Sequence, residues 1–194
     1  MTRERRLERA RELESRYAAS AEILRFYADL LTCTPDVEHL RKLPRCASID
    51  PADPFFARAL RHLESEGGFV ETEVTQNTCP RCGEKPVVAV LRPEGEGGKR
   101  SLVCSLCSAE WDFRRMLCPA CGNEDPHKLP IFSAEQYPQV RVECCDACHL
   151  YIKCVDMTKD GLAVPEVDEL ASLPLDLWAQ EHGYTKLQTN LFGL

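Results

Sequence analysis

No apolar run in this 194-residue chain approaches the eighteen or so residues that span a bilayer. Its first residues, MTRERRLERARELESR, are densely charged where a secretion signal is apolar. No membrane insertion is expected, and the expected location is the cytoplasm. A basic excess is also lacking. Lys and Arg total 24 against 31 Asp and Glu, and none of the stretches 1–78, 79–157 and 158–194 is net basic. Nucleic-acid binding relies on cationic side chains that displace counterions from phosphate, so DNA and RNA are not expected as main partners. Catalytic signatures are missing as well. There is no G-x-S-x-G, P-loop or dinucleotide fingerprint, and His39, His62, His127, His149 and His182 form no H-E-x-x-H pattern. An enzyme is therefore not indicated.

Cysteine is what the chain has in quantity. Twelve thiols in a reducing compartment do not form a disulfide framework, which leaves metal or redox chemistry. Eight of them fall into four C-x-x-C pairs: Cys79/Cys82, Cys104/Cys107, Cys118/Cys121 and Cys145/Cys148. The stretch from CPRCGEKPVVAVL to SLVCSLCSAEWDF repeats as CPACGNEDPHKLPIF to VRVECCDACHLYIK, offset by 39 residues at the first pair and 41 at the second. Each copy reads as a turn, a short apolar strand, a polar hairpin loop, a second strand, another C-x-x-C turn and an aromatic-containing strand.

A C-x-x-C turn aims two sulfurs at one point, and two such knuckles complete a tetrahedral tetrathiolate site. The duplication favours pairing the first knuckle with the second and the third with the fourth. First with third, and second with third, stay open as alternatives. Gly83 and Gly122 suit a turn position of positive φ, whereas Ser108 and His149 stand at the matching place in the second knuckles. Arg81, Lys85, Arg114 and Arg115 are candidates to offset the negative charge of the cages. Cys33, Cys46 and Cys154 are expected to be buried thiols, the repeat register selects Cys145 as ligand over the adjacent Cys144, and His149 is a weaker alternative ligand.

The flanks read as helical. Leu7, Ala10, Leu13, Tyr17, Ala21, Leu24, Ala28 and Leu31 predict one amphipathic helix over 3–32. A short segment near 35–43 and a helix capped by Asp53 and ending near Gly67 follow. Near the C-terminus, Val167, Leu170, Leu173, Leu177 and Trp178 mark a helical face interrupted by Pro174. These apolar stripes read as core-facing, with the alternative that Phe26, Tyr27, Phe55 and Phe56 leave an exposed apolar patch for a protein partner. The expected fold is α+β: two tandem tetrathiolate ribbons of short antiparallel strands at 79–117 and 118–157, a helical region at 1–78, and a C-terminal helix and tail at 158–194 packed on the ribbons.

The succession CPRCG, CSLCSAEW, RMLCPACGN and CCDACHLYIK, followed by VDELASLPLDLWAQEHGY and NLFGL, resembles the formate dehydrogenase accessory protein family, FdhE, over roughly residues 75–194. The resemblance implies a cytoplasmic maturation factor that binds the catalytic subunit of a formate dehydrogenase. It also implies rubredoxin-like iron sites, whose ligands would be Cys79, Cys82, Cys104, Cys107, Cys118, Cys121, Cys145 and Cys148. Zinc accepts the same sulfur set. Familiar members carry a longer helical N-terminal region than the 78 residues that precede the first knuckle here. A rubredoxin-like redox protein and a zinc-ribbon nucleic-acid binder are the competing readings.

Overall fold

The stripe from Leu7 to Leu31 does not run along one helix. In the computed structural model, which describes residues 2–50, 52–65, 67–95 and 97–194, helix α1 (Arg3–Arg16) stops at Tyr17. A 3₁₀ turn at Ala18–Ser20 leads into α2 (Ala21–Thr32), which packs back on α1. Tyr17 leaves helical geometry at φ −120°, ψ 89°, and its ring meets that of Tyr137 at 4.7 Å. Neither glycine nor proline marks the break. It is set by the tertiary gain of folding the apolar stripe against the rest of the protein in two short pieces. A single turn, α3 (Val37–Leu40), and then α4 (Pro54–Glu64) complete the N-terminal layer; Asp53 caps α4 by accepting from the Phe55 amide at 2.8 Å.

The strands are β1 (Gly68–Phe69), β2 (Pro86–Glu94), β3 (Gly97–Cys104), β4 (Ala109–Asp112), β5 (Ile131–Ser133), β6 (Val140–Cys145), β7 (Leu150–Asp156) and β8 (Thr185–Lys186); β2 to β7 belong to the ribbons, and β1 and β8 come from the flanks. Glu96, in the loop read as a hairpin connection, and Glu66, next to the foreseen helix end, lie outside the described residues. The two ribbons fuse into a single sheet of order β1-β4-β3-β2-β7-β6-β5, with β8 beside β7. The joint is a parallel pairing of β2 with β7, from Val88↔Lys153 to Leu91↔Asp156. It places the first strand of one ribbon against the last strand of the other.

Strand alternation then divides the apolar side chains between two cores. Val88, Val90, Val103, Val142, Tyr151 and Val155 face the helices. Ala89, Leu91, Leu102, Trp111, Ile152 and Cys154 face the other way with Phe113 and Leu187.

Proline 174 gives two C-terminal helices, α5 (Pro165–Ala171) and α6 (Leu173–Glu181). The expected apolar face holds only in α5. The break at Ser172 rotates α6, so Leu175 and Ala179 turn inward while Leu177 is 62% exposed. The aromatic set follows the core-facing reading rather than the alternative of an open patch. Phe26, Tyr27 and Phe56 are buried, and Phe192 from the C-terminal segment closes over them, 5.2 Å from Phe26 and 6.1 Å from Tyr27 between ring centroids. Arg58 donates to the Asn190 carbonyl and fixes that segment in place. Burying the rings of Phe26, Tyr27 and Phe56 removes far more apolar surface from water than leaving them open to solvent.

Candidate metal centres

The first and third C-x-x-C turns fold by the same local bonds. The Cys79 amide donates to the Glu84 carbonyl (2.7 Å), the Gly83 amide to the Cys79 carbonyl (2.9 Å), and the Arg81 amide points at Cys79 Sγ (3.4 Å). The third knuckle repeats this with Cys118 to Asn123 (2.9 Å), Gly122 to Cys118 (3.0 Å) and the Ala120 amide to Cys118 Sγ (3.4 Å). In all four knuckles the residue after the second cysteine is left-handed: Gly83 at φ 81°, Ser108 at 52°, Gly122 at 72° and His149 at 57°. Ser108 and His149 carry the steric cost that glycine avoids, a sign that surrounding structure holds these two turns in shape. For Ser108 that structure is the end of α4. The Ser65 hydroxyl donates to the Cys107 carbonyl, and Gly67 packs so tightly that a Cβ there would lie 2.8 Å from the Ser108 carbonyl oxygen.

The sulfurs meet as the duplication favours, first knuckle with second and third with fourth. Among the described residues, two four-cysteine clusters form, Cys79/Cys82/Cys104/Cys107 and Cys118/Cys121/Cys145/Cys148, with all sulfurs of a cluster within 4.8 Å of one another. The closest cross-knuckle separations are 3.6 Å (Cys79 to Cys107), 3.4 Å (Cys82 to Cys104), 3.8 Å (Cys118 to Cys148) and 3.7 Å (Cys121 to Cys145). Sulfurs bound tetrahedrally at about 2.3 Å from one ion stand about 3.8 Å apart, so each cluster has the dimensions of a single-ion site. Zinc and iron both suit such a sulfur set.

The electrostatics point the same way. Burial pushes the Cys104, Cys118 and Cys148 thiols up, so an entering cation must displace their protons. At Cys121 burial is outweighed by the Asn123 amide and the neighbouring thiols, which hold it below the ordinary thiol range. Cys82 and Cys121 are exposed, so each cluster presents one sulfur-bearing residue to solvent.

Cys46, Cys144 and Cys154 are buried, Cys33 is half-buried, and all four lie outside the clusters. Burial pushes Cys144 up to about 12. His149 shapes its turn and is no part of the sulfur cluster. Two arginines proposed to offset the cage charge have other partners: the Arg81 guanidinium binds the Gly67 carbonyl at 2.7 Å, and Arg114 pairs with Glu124 at 2.5 Å. The backbone amides near Cys79, Cys104 and Cys118 take the donor role instead.

The sequence reading missed a buried ionic layer between the helices and the sheet. Arg9 grips Asp168 with two bonds, Nε to Oδ2 at 3.0 Å and Nη2 to Oδ1 at 2.7 Å, with both residues at most 1% exposed. Lys153, fully buried on β7, reaches Asp176 Oδ2 at 2.5 Å and Glu169 Oε1 at 3.0 Å. Lys186 binds the same two carboxylates, and Arg6 reaches Glu166 at 3.3 Å. The signal was present in the sequence: residues 158–194 carry six acids against two bases, so their partners had to come from elsewhere in the chain.

His62, buried on α4 and 2.7 Å from the Tyr27 hydroxyl, belongs to this layer. Burial and, after it, nearby Arg6 lower its pKa to about 4 from 6.5. Between those values the unfolded chain binds a proton that the folded chain does not, so stability falls as pH drops from 6.5 to 4. The loss is expected to be about 3 kcal/mol. Urea unfolding of wild type and His62→Gln across this range checks it; the variant is expected to lose most of the slope.

Two family models match this chain: FdhE, central domain, over residues 78–115, and FdhE, C-terminal domain, over residues 117–192. A Protein FdhE homolog from Aquifex aeolicus is 41% identical over 119 residues, covering 61% of this chain and 42% of that protein. Another from Pseudomonas aeruginosa is 38% identical over 152 residues, covering 71% of this chain and 48% of its own length. This chain thus spans less than half the length of these curated relatives. The crystal structure of the FdhE protein from Pseudomonas aeruginosa superposes with a TM-score of 0.75 at 21% identity, covering 98% of this chain and 96% of that one, and so shares its fold. The two matched segments together exceed half the chain and hold all eight clustered cysteines, one cluster in each, and on these grounds the chain belongs to the FdhE family.

Proposed function

We propose that this protein is a non-catalytic accessory factor that docks onto the catalytic subunit of a formate dehydrogenase in the cytoplasm and supports its activation or assembly. Membership of the FdhE family carries this reading, and the absence of an apolar helix long enough to cross a membrane among the described residues is compatible with it. Cys79, Cys82, Cys104 and Cys107 would hold one ion, and Cys118, Cys121, Cys145 and Cys148 a second. When bound, the ions supply cross-links that fix the four turns of residues 79–157. Residues 1–78 and 158–194 form flanking layers, and the client meets the helices and the open surface of the ribbons. Affinity capture with the tagged chain from its native cytoplasm is expected to recover a formate dehydrogenase catalytic subunit; recovery of none would overturn the reading.

The exposure of Cys82 and Cys121 favours a second reading, in which iron in these cages exchanges electrons with a partner. Visible absorption bleached by dithionite would support it. A colourless zinc protein purified without oxygen would exclude it.

A further inference from the structure

The internal duplication shows what covers one edge of a ribbon and leaves the equivalent edge of the other ribbon open. Counted from the cysteine that ends each second strand, Ala89, Val90 and Leu91 on β2 pair with Leu102, Ser101 and Arg100. Ile131, Phe132 and Ser133 on β5 pair with Glu143, Val142 and Arg141 at the same places before Cys145. The outer edge of β2 is filled by β7 in parallel, with Cys154, Val155 and Asp156 opposite the three residues. The outer edge of β5 has no strand beside it among the described residues. The Cys144 amide donates to the Pro130 carbonyl, and antiparallel alternation then turns the amides and carbonyls of Ile131 and Ser133 away from β6, toward that open edge.

The side chains repeat the pattern. Val90 faces the helical layer, where Val155 lies buried beside it. Phe132 faces the same layer, meets Trp178 in a tilted pair with ring centroids 4.7 Å apart, and lines a groove of about 510 Å³ with Tyr137, Pro174 and Leu175. Ile131 is 53% exposed and Phe132 36%. An apolar edge of this kind is one that folded proteins ordinarily blunt.

We propose that β5 is a docking edge for an extended segment of a client protein, added as a parallel strand with an apolar side chain opposite Phe132, in the place that Val155 takes opposite Val90. A second copy of this chain does not suit the edge. Its own β4 edge, the counterpart of β7, is already covered by β1 and by residues 70–74, through bonds from the Val70 amide to Glu110 and from the Arg114 amide to Val74. A three-residue edge also buries far less than the roughly 1,200 Å² of a stable dimer, whereas it matches a short strand held by main-chain bonds and one groove-filling side chain.

The inference rests on the docking reading above only for the identity of the client. Its test uses two probes on the full metal-loaded chain: a labelled peptide YIKSVDM, residues 151–157 spanning most of β7 with serine for Cys154 and called the β7 peptide, and overlapping peptides that tile a formate dehydrogenase catalytic subunit. The β7 peptide is expected to bind. Ile131→Pro deletes only an outward amide and is expected to weaken it at least tenfold with the circular dichroism and metal content unchanged; Trp178→Ala is expected to act likewise through the groove. No binding of the β7 peptide, or binding that survives both variants, overturns the edge. So does a dimer by light scattering that Ile131→Pro dissolves, since the occupant would then be a second copy. If the β7 peptide behaves as expected and no client peptide binds, the edge stands and the formate dehydrogenase reading fails.

Discussion

Cys82→Ser is expected to leave one metal ion per chain in place of the two expected for the wild type, and to unfold the first ribbon locally. A ribbon of this size has little core of its own, so the free energy of metal binding is largely folding free energy, with apparent values of about 10–16 kcal/mol for structural zinc peptides at neutral pH. Loss of one of four ligands removes a large part of that. The damage should travel in a defined direction. The first cluster is tied to α4 through Ser65, Gly67 and the Cys107 carbonyl, so amides of α4 should lose hydrogen-exchange protection. In Cys121→Ser the equivalent loss should run to the C-terminal segment, which meets the second cluster's turns through the Thr185 amide on His149 (2.9 Å) and Tyr184 on Asp146 (2.6 Å). Elemental analysis of anaerobically purified protein reads the stoichiometry. Cys33→Ser, outside both clusters, is expected to keep two ions, and a Cys82→Ser protein that also kept two would refute the single-ion geometry of the first cage.

Asp168→Ala is expected to cost about 3–5 kcal/mol, enough to unfold a marginal domain. The reason is the charge left behind more than the bond removed. Arg9 is 1% exposed, and with Asp168 gone it keeps only Asp160 and Glu12 toward the rim of the site. Asp168 also accepts from Gln139 at 3.0 Å and from the Val164 amide at 2.8 Å, so the buried Val164 amide loses that partner and Gln139 keeps only the longer bond to Tyr17, at 3.4 Å. Chemical denaturation of the metal-loaded protein measures the change. A loss under 1 kcal/mol would mean that water reaches Arg9. Replacing Arg9 and Asp168 together by Met and Leu should recover much of the loss, because a buried ion pair stabilises little beyond an apolar pair of similar volume.

Local chemistry made the cages legible. A C-x-x-C turn closes through bonds among five or six adjacent residues, and the duplicated order of knuckles, strands and loops favoured the sequential pairing that the fold adopts. The Asp53 cap, the Pro174 break and the burial of Cys154 beside Ile152 were legible for the same reason: each depends on neighbours in the chain. Sequence periodicity failed where a distant surface decided. Tyr17 leaves the helix to meet Tyr137, Leu177 turns outward because the Ser172 break resets the phase of α6, and Phe192 closes the aromatic cluster from the far end of the chain.

The sequence by itself determined that this protein builds two four-sulfur cages, because the spacing within each knuckle and the duplication of the whole unit leave little else for eight thiols to do. Only the tertiary structure decided that the two ribbons join edge to edge through a parallel β2–β7 pairing, that carboxylates of α5 and α6 meet cations from α1, β7 and β8, and that the outer edge of β5 has no strand beside it among the described residues. Those outcomes depend on main-chain hydrogen bonds and buried charges between segments dozens of residues apart, and neither leaves a periodic trace in the sequence.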